Sequence, residues 1–127
     1  MPTLESLARA GALSQVDRTI GEIAPDGHLG LAPDLTASNF GSVKSDATAA
    51  DLVLGAYNLV FQAAGTMLVL AARGQGIEDV VVVGALAASP FAQEMFARFS
   101  KAYRLRYTSP LHAMFATAYG AALAIVS

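Results

Sequence analysis

Few residues in this chain combine type and spacing in a way that does chemistry. The strongest candidate is the small-residue stretch Gly84 to Ser89. It follows an apolar run and precedes Ser-Pro, the signature of a capped helix start. Ligands of α/β sheets bind outside the carboxyl ends of strands, and helix N-termini favour phosphate. The stretch therefore reads either as a nucleotide-contacting loop or as a plain strand-to-helix turn built from small residues. The second candidate is Asp34-Leu35-Thr36-Ala37-Ser38-Asn39-Phe40-Gly41. Side chains this polar and this dense hydrogen-bond their own backbone. The simpler reading is a set of such turns beside a buried Phe40; the other is a fixed functional loop.

Other chemistries find little support. Cysteine is absent, so disulfides and thiolate chemistry are excluded. The histidines, His28 and His112, lie far apart in sequence, which argues against a metal site built on them. Ser109 and His112 are close, but no nucleophile-elbow pattern surrounds them, and His112 reads as a cap or surface group. Glu78-Asp79 reads as a solvated edge before a strand. There is no Walker-type phosphate loop. With 8 basic and 10 acidic residues and no basic stripe, nucleic acid is not an expected partner.

The elements that must position these residues follow from periodicity. Leu4, Leu7 and Ala8 share a face, so Thr3 to Ala10 reads as a short helix stopped by Gly11. Val16 to Ile23 alternates weakly and reads as a short strand or extended segment. Ala24 to Pro33, with Pro25, Asp26-Gly27 and Gly30, is a loop. A long helix is expected over Asp46 to Arg73, with Thr48 and Asp51 forming a capping box with a shortened acid. From Thr48 to Arg73 it spans about 39 Å at ~1.5 Å per residue. Gly74 and Gly76 end it. Asp79 to Gly84, DVVVVG, reads as a central strand covered on both faces and pairing in parallel. A helix from Ser89-Pro90 to about Lys101 should bury Phe91, Met95, Phe96 and Phe99. Arg104 to Thr108 is a second strand, and Ser109-Pro110 should open a last helix to about Val126. This order is half of an α/β layered domain.

Composition agrees with a packed chain. Of 127 residues, 54% are apolar and 14% charged, enough to bury a core and to leave apolar surface for a partner. Alanine, at 26 residues, favours helices and close approach. Leu52 to Ala72 is uncharged and as long as a bilayer span. Within it Asn58, Gln62 and Thr66 recur every fourth residue, extended by Asp51, Gly55 and Arg73. That stripe favours a buried or interface helix, hydrogen-bonded across a helix–helix contact, over a membrane span. The N-terminus has no secretory pattern, so the expected location is cytoplasmic.

Taken together, Pro33 to Gly41 (PDLTASNFG), the long uncharged helix, Asp79 to Gly84 and Phe115 to Ala124 (FATAYGAALA) resemble the C-terminal half of type II pantothenate kinases. Leu4 to Gly11 and the VDRTIGEI stretch are similar to the segment before that first motif. The resemblance covers essentially the whole chain as one subdomain, residues 1–127. It implies an actin-like, ribonuclease H-like fold of the sugar-kinase and heat-shock ATPase type. It also implies ATP-dependent phosphorylation of pantothenate with Mg²⁺, the first step of coenzyme A synthesis. By the same resemblance the enzyme is a homodimer with the helix at 48–73 in its interface, which would let the polar stripe meet its own copy.

The family's two phosphate loops and catalytic glutamate have no match here, and the resemblance places them before Met1. No catalytic or metal-binding residue is therefore assigned, and the chain alone is expected to be inactive, either as one domain of a longer enzyme or as one subunit of a split enzyme whose separate N-terminal half supplies the phosphate loops. Ala85 stands where the family commonly has a nucleotide-contacting serine. Gly84 and Ala85 remain the expected nucleotide contacts, through backbone. The alternative expectation is a non-catalytic dimerisation or binding module derived from a half-kinase.

Overall fold

A computed structural model describes residues 3–25 and 32–126. Asp26, Gly27, His28 and Gly30 lie outside the described residues. The protein is mixed α/β, mostly helical, with two short two-stranded sheets. It divides into two units, Met1–Val60 and Phe61–Ser127.

In the first unit, helix α1 (Leu4–Ala8) starts at Thr3, whose hydroxyl accepts the Ser6 N–H. A 3₁₀ turn, Leu13–Gln15, precedes strand β1 (Arg18–Thr19) and the single helical turn α2 (Ile20–Ile23). The expected extended segment over 16–23 is thus only two residues of strand. The reason is local: Thr19 and Glu22 form a full capping box, each side chain bonding the other's backbone N–H, which turns the chain into a helix. Strand β2 (Thr36–Ser38) runs antiparallel to β1, with Arg18 opposite Ser38, Thr19 opposite Thr36, and a register shift between.

Helix α3 (Ala49–Gln75) contributes its first part to one unit and the remainder to the other. Its start is the expected capping box. The Thr48 N–H and hydroxyl both donate to Asp51 Oδ2 at 2.7 Å, and the Asp51 N–H returns to Thr48 Oγ1 at 3.4 Å. Its end is a Schellman motif: Gly76 takes φ +67°, the Gly76 N–H bonds the Arg73 carbonyl, and the Ile77 N–H bonds the Ala72 carbonyl. By length and composition α3 is apolar enough to cross a membrane.

The second unit holds a parallel crossover. Strand β3 (Asp79–Val81) leads through helix α4 (Pro90–Tyr103) to strand β4 (Arg106–Thr108). The register is Asp79–Arg106, Val80–Tyr107, Val81–Thr108. The pairing is parallel, as the apolar run implies, but the strand is shorter and covered on one face only. Val80 and Tyr107 pack against a core of Val69, Ala72, Phe99 and Leu105. Val81 is 64% exposed and Val83 49%, because the other face of this two-stranded sheet has no layer over it among the described residues. In α4, Ala92, Phe96 and Phe99 are buried, whereas Phe91 and Met95 are half-buried rather than fully so. The Phe96 ring stacks on Tyr107 at 5.1 Å and meets Phe61 edge-on at 6.3 Å.

Pro110 does not open the last helix. His112 takes φ +67°, a 3₁₀ turn follows over Ala113–Phe115, and only then does helix α5 (Ala116–Val126) begin. A left-handed residue cannot continue a right-handed helix, so the start moves past it. α5 carries no charge and exposes Tyr119, Leu123 and Ile125.

Candidate functional site

The Gly84 loop follows β3 directly. One more ladder bond, Val82 N–H to the Thr108 carbonyl, closes the strand pair at 2.9 Å. Gly84 then takes φ +111°, a conformation open to glycine and rarely to other residues. No atom approaches the place where its Cβ would stand, so its backbone is approachable. The Gly84 N–H is engaged by the Ala113 carbonyl at 2.9 Å. Ala85 opens a 3₁₀ turn, Ala85–Ala88, and is exposed. Ser89 stands at the N-cap of α4 with Pro90 after it, as expected, but its hydroxyl makes no capping bond and is buried without a hydrogen-bond partner. The loop thus offers backbone, the Ala85 methyl and the half-exposed Leu86 side chain, with no charged side chain of its own. That suits a base or sugar edge better than a phosphate.

The flanking acids are structural. Arg106 forms a two-pronged contact with Asp79, Nε to Oδ1 and Nη2 to Oδ2, with Glu78 near its Nη1 at 3.4 Å. This pairing holds the Asp79 carboxyl below its ordinary range and pushes the Arg106 guanidinium up. Glu78-Asp79 is therefore the solvated edge the sequence implies, stitched across the parallel pair. Ser109 donates to the Ala87 carbonyl at 3.4 Å, and exposed His112 makes no side-chain cap.

The 34–41 motif is organised by a residue that sequence reasoning did not single out for this purpose. Asp17 is 2% exposed. Its Oδ1 accepts the Phe40 N–H at 2.8 Å; its Oδ2 accepts Asn58 Nδ2 at 2.7 Å and the Thr36 hydroxyl at 3.4 Å. Asn58 also donates to Thr36 Oγ1 at 3.0 Å. Phe40 sits at φ +53°, uncommon for a bulky residue and held only where surroundings fix it. The motif is thus tied to α3 through Asp17, which makes its turns architectural. Only the isolated T-x-S-N-F-G polarity hinted at this; a buried acid leaves no periodic signal.

This geometry revises the reading of the polar stripe. Asn58 and Asp51 face their own chain: Asn58 holds Asp17, and Asp51 Oδ1 accepts the Ala12 N–H at 2.7 Å. Bonds from Thr48 first and Ala12 next keep the Asp51 carboxyl below its ordinary range. Thr66 and Arg73 are exposed, and the Arg73 guanidinium lies 5.3 Å from the Tyr103 ring centre. The open positions of α3 are apolar: Leu52, Leu59 and Val60 in the first unit, Met67 and Leu70 in the second.

Among the described residues no group of three His, Asp or Glu side chains is placed to hold a metal ion. No family model and no curated protein matches this chain.

Proposed function

We propose that this chain is the C-terminal half of a type II pantothenate kinase of actin-like architecture, located in the cytoplasm and acting with an N-terminal half that carries the phosphate loops. The observation that carries the reading is the parallel β3–α4–β4 crossover ending its first strand in Gly84, whose left-handed backbone lies open at the carboxyl end of the sheet. In this reading Gly84 and Ala85 contact the base or ribose of ATP, and the nucleotide supplies the phosphoryl group for the pantothenate hydroxyl. Among the described residues no group of three His, Asp or Glu side chains could hold Mg²⁺, and the Gly84–Ser89 loop carries no cationic side chain for the polyphosphate; in this reading those ligands are held by the other half. The chain pairs with its own copy along α3.

The second reading, a non-catalytic dimerisation module, draws on Ala85, which has no hydroxyl to offer a nucleotide. The test is formation of 4'-phosphopantothenate from pantothenate, ATP and Mg²⁺. The chain alone should give none. Mixed with a separately produced N-terminal half of a type II pantothenate kinase, it should restore turnover. Turnover by the chain alone overturns the half-enzyme account; a silent mixture of a well-folded dimer leaves the non-catalytic module.

A further inference from the structure

A second cleft lies in the Phe61–Ser127 unit, between α4 and the carboxyl end of β4, with a volume of about 370 Å³. That is within the range of sites for small ligands, roughly 300–1,000 Å³. Its apolar wall is the stacked pair Phe96 and Tyr107, locked at 5.1 Å. Its polar groups come from two elements: Gln93 and Ser100 on α4, and Thr108 and Ser109 where the chain leaves β4. Gln93, Ala97 and Ser100 are spaced i, i+4, i+7, so they line one helix face, and the small Ala97 leaves the gap between the two polar side chains. The Tyr107 hydroxyl is shielded and has no hydrogen-bond partner, an unmet group that native interiors seldom retain without a cause.

The chemistry of the wall selects the ligand. No lining residue carries a charge. An ion entering the cleft would lose hydration with no opposite charge to replace it. A neutral molecule with a flat apolar face and an amide or hydroxyl edge would stack against Phe96 and Tyr107 and bond the rim. We propose that this cleft is a binding site for a small uncharged aromatic amide or alcohol. Val82 and Ala87 complete its lining, so the cleft adjoins the Gly84–Ser89 loop; its uncharged ligand chemistry does not depend on the kinase reading.

Benzamide and benzoate form the test pair, because they match in shape and differ in charge. Amide resonances of the full chain are followed by NMR during titration with each at millimolar concentration. Benzamide should shift the resonances of 93–100 and 107–109, and benzoate should leave them in place. Ala97→Leu, at an exposed position, fills the gap and should abolish the benzamide shifts while the remaining spectrum keeps its dispersion. Ser100→Leu serves as a second blocking variant should Ala97→Leu fold poorly. Absence of benzamide shifts at these positions, equal shifts with benzoate, or shifts that persist in a folded blocking variant would overturn the proposal.

Discussion

Asp51 and Asp79 are both held ionised, by different means. Asp51 is buried and accepts bonds from Thr48 and Ala12; Asp79 is an exposed partner of Arg106. A carboxyl whose folded pKa lies below its unfolded value stabilises the fold above that unfolded value, near 3.8 here, and the contribution is lost as pH falls through the folded pKa. Stability should therefore fall on the acid side, below about pH 4. Salt screens exposed pairs and buried bonds much less. Denaturant unfolding between about pH 2 and 7, at low and high salt, should find Asp79→Asn indistinguishable from wild type at high salt. Asp51→Asn should flatten the acid limb at either. An acid limb unchanged in Asp51→Asn would remove the capping box from this account.

At the scale of the element, α3 shows how one helix carries glycine in its interior for packing rather than flexibility. Gly55 lies where a Cβ would stand 2.8 Å from Val16 Cγ2 and 2.9 Å from the Phe40 ring; at Gly65 the Phe99 ring is 2.9 Å away. All three distances are shorter than real Cβ contacts allow. Gly74 meets nothing within 4 Å. The same substitution should therefore change sign along the helix. Gly65→Ala overpacks against Phe99 and should destabilise by about 1–3 kcal/mol. Gly74→Ala gains helix propensity and should stabilise by up to about 1 kcal/mol. Chemical denaturation of both variants measures the contrast. Stabilisation by Gly65→Ala would show that Phe99 does not seat against the helix. The elements whose signals were local were legible in the sequence: the Thr3 start, the Thr48–Asp51 box, the Gly76 stop and the Ser89-Pro90 start. Two starts were misread: the Thr19–Glu22 box that opens α2 was passed over for weak alternation, and the Pro110 start failed because a left-handed His112 leaves no mark on residue type.

For the whole molecule, the question is which side of α3 is free for a second copy. The polar residues Asp51 and Asn58 are committed to the chain's own loops, so the self-association proposed above would use the apolar side of α3. Leu59→Lys with Met67→Lys places charge on two exposed apolar positions and should lower the mass observed in sedimentation to that of a monomer, with stability little changed. Asn58→Leu should leave the mass unchanged and lower stability by about 2 kcal/mol, because it removes the shorter of the two side-chain bonds to buried Asp17, leaving the Thr36 hydroxyl at 3.4 Å. The reverse pattern would return the stripe to the interface.

Legible in the residues alone were the order of elements from the long helix onward, the parallel pairing of the DVVVVG strand, the absence of thiol chemistry and the resemblance on which the functional proposal rests; strand β2 and helix α2 were not. The legible features are properties of local propensity, periodicity and composition. It took the folded chain to make Asp17 the hub of the 34–41 motif, to turn the Asp51 and Asn58 end of the α3 stripe inward while Thr66 and Arg73 stay exposed, and to cover β3 on one face. Each of those depends on contacts between residues 19 to 41 positions apart or on which layer meets the sheet. Residue type alone does not say which partner a buried carboxylate or an amide will meet.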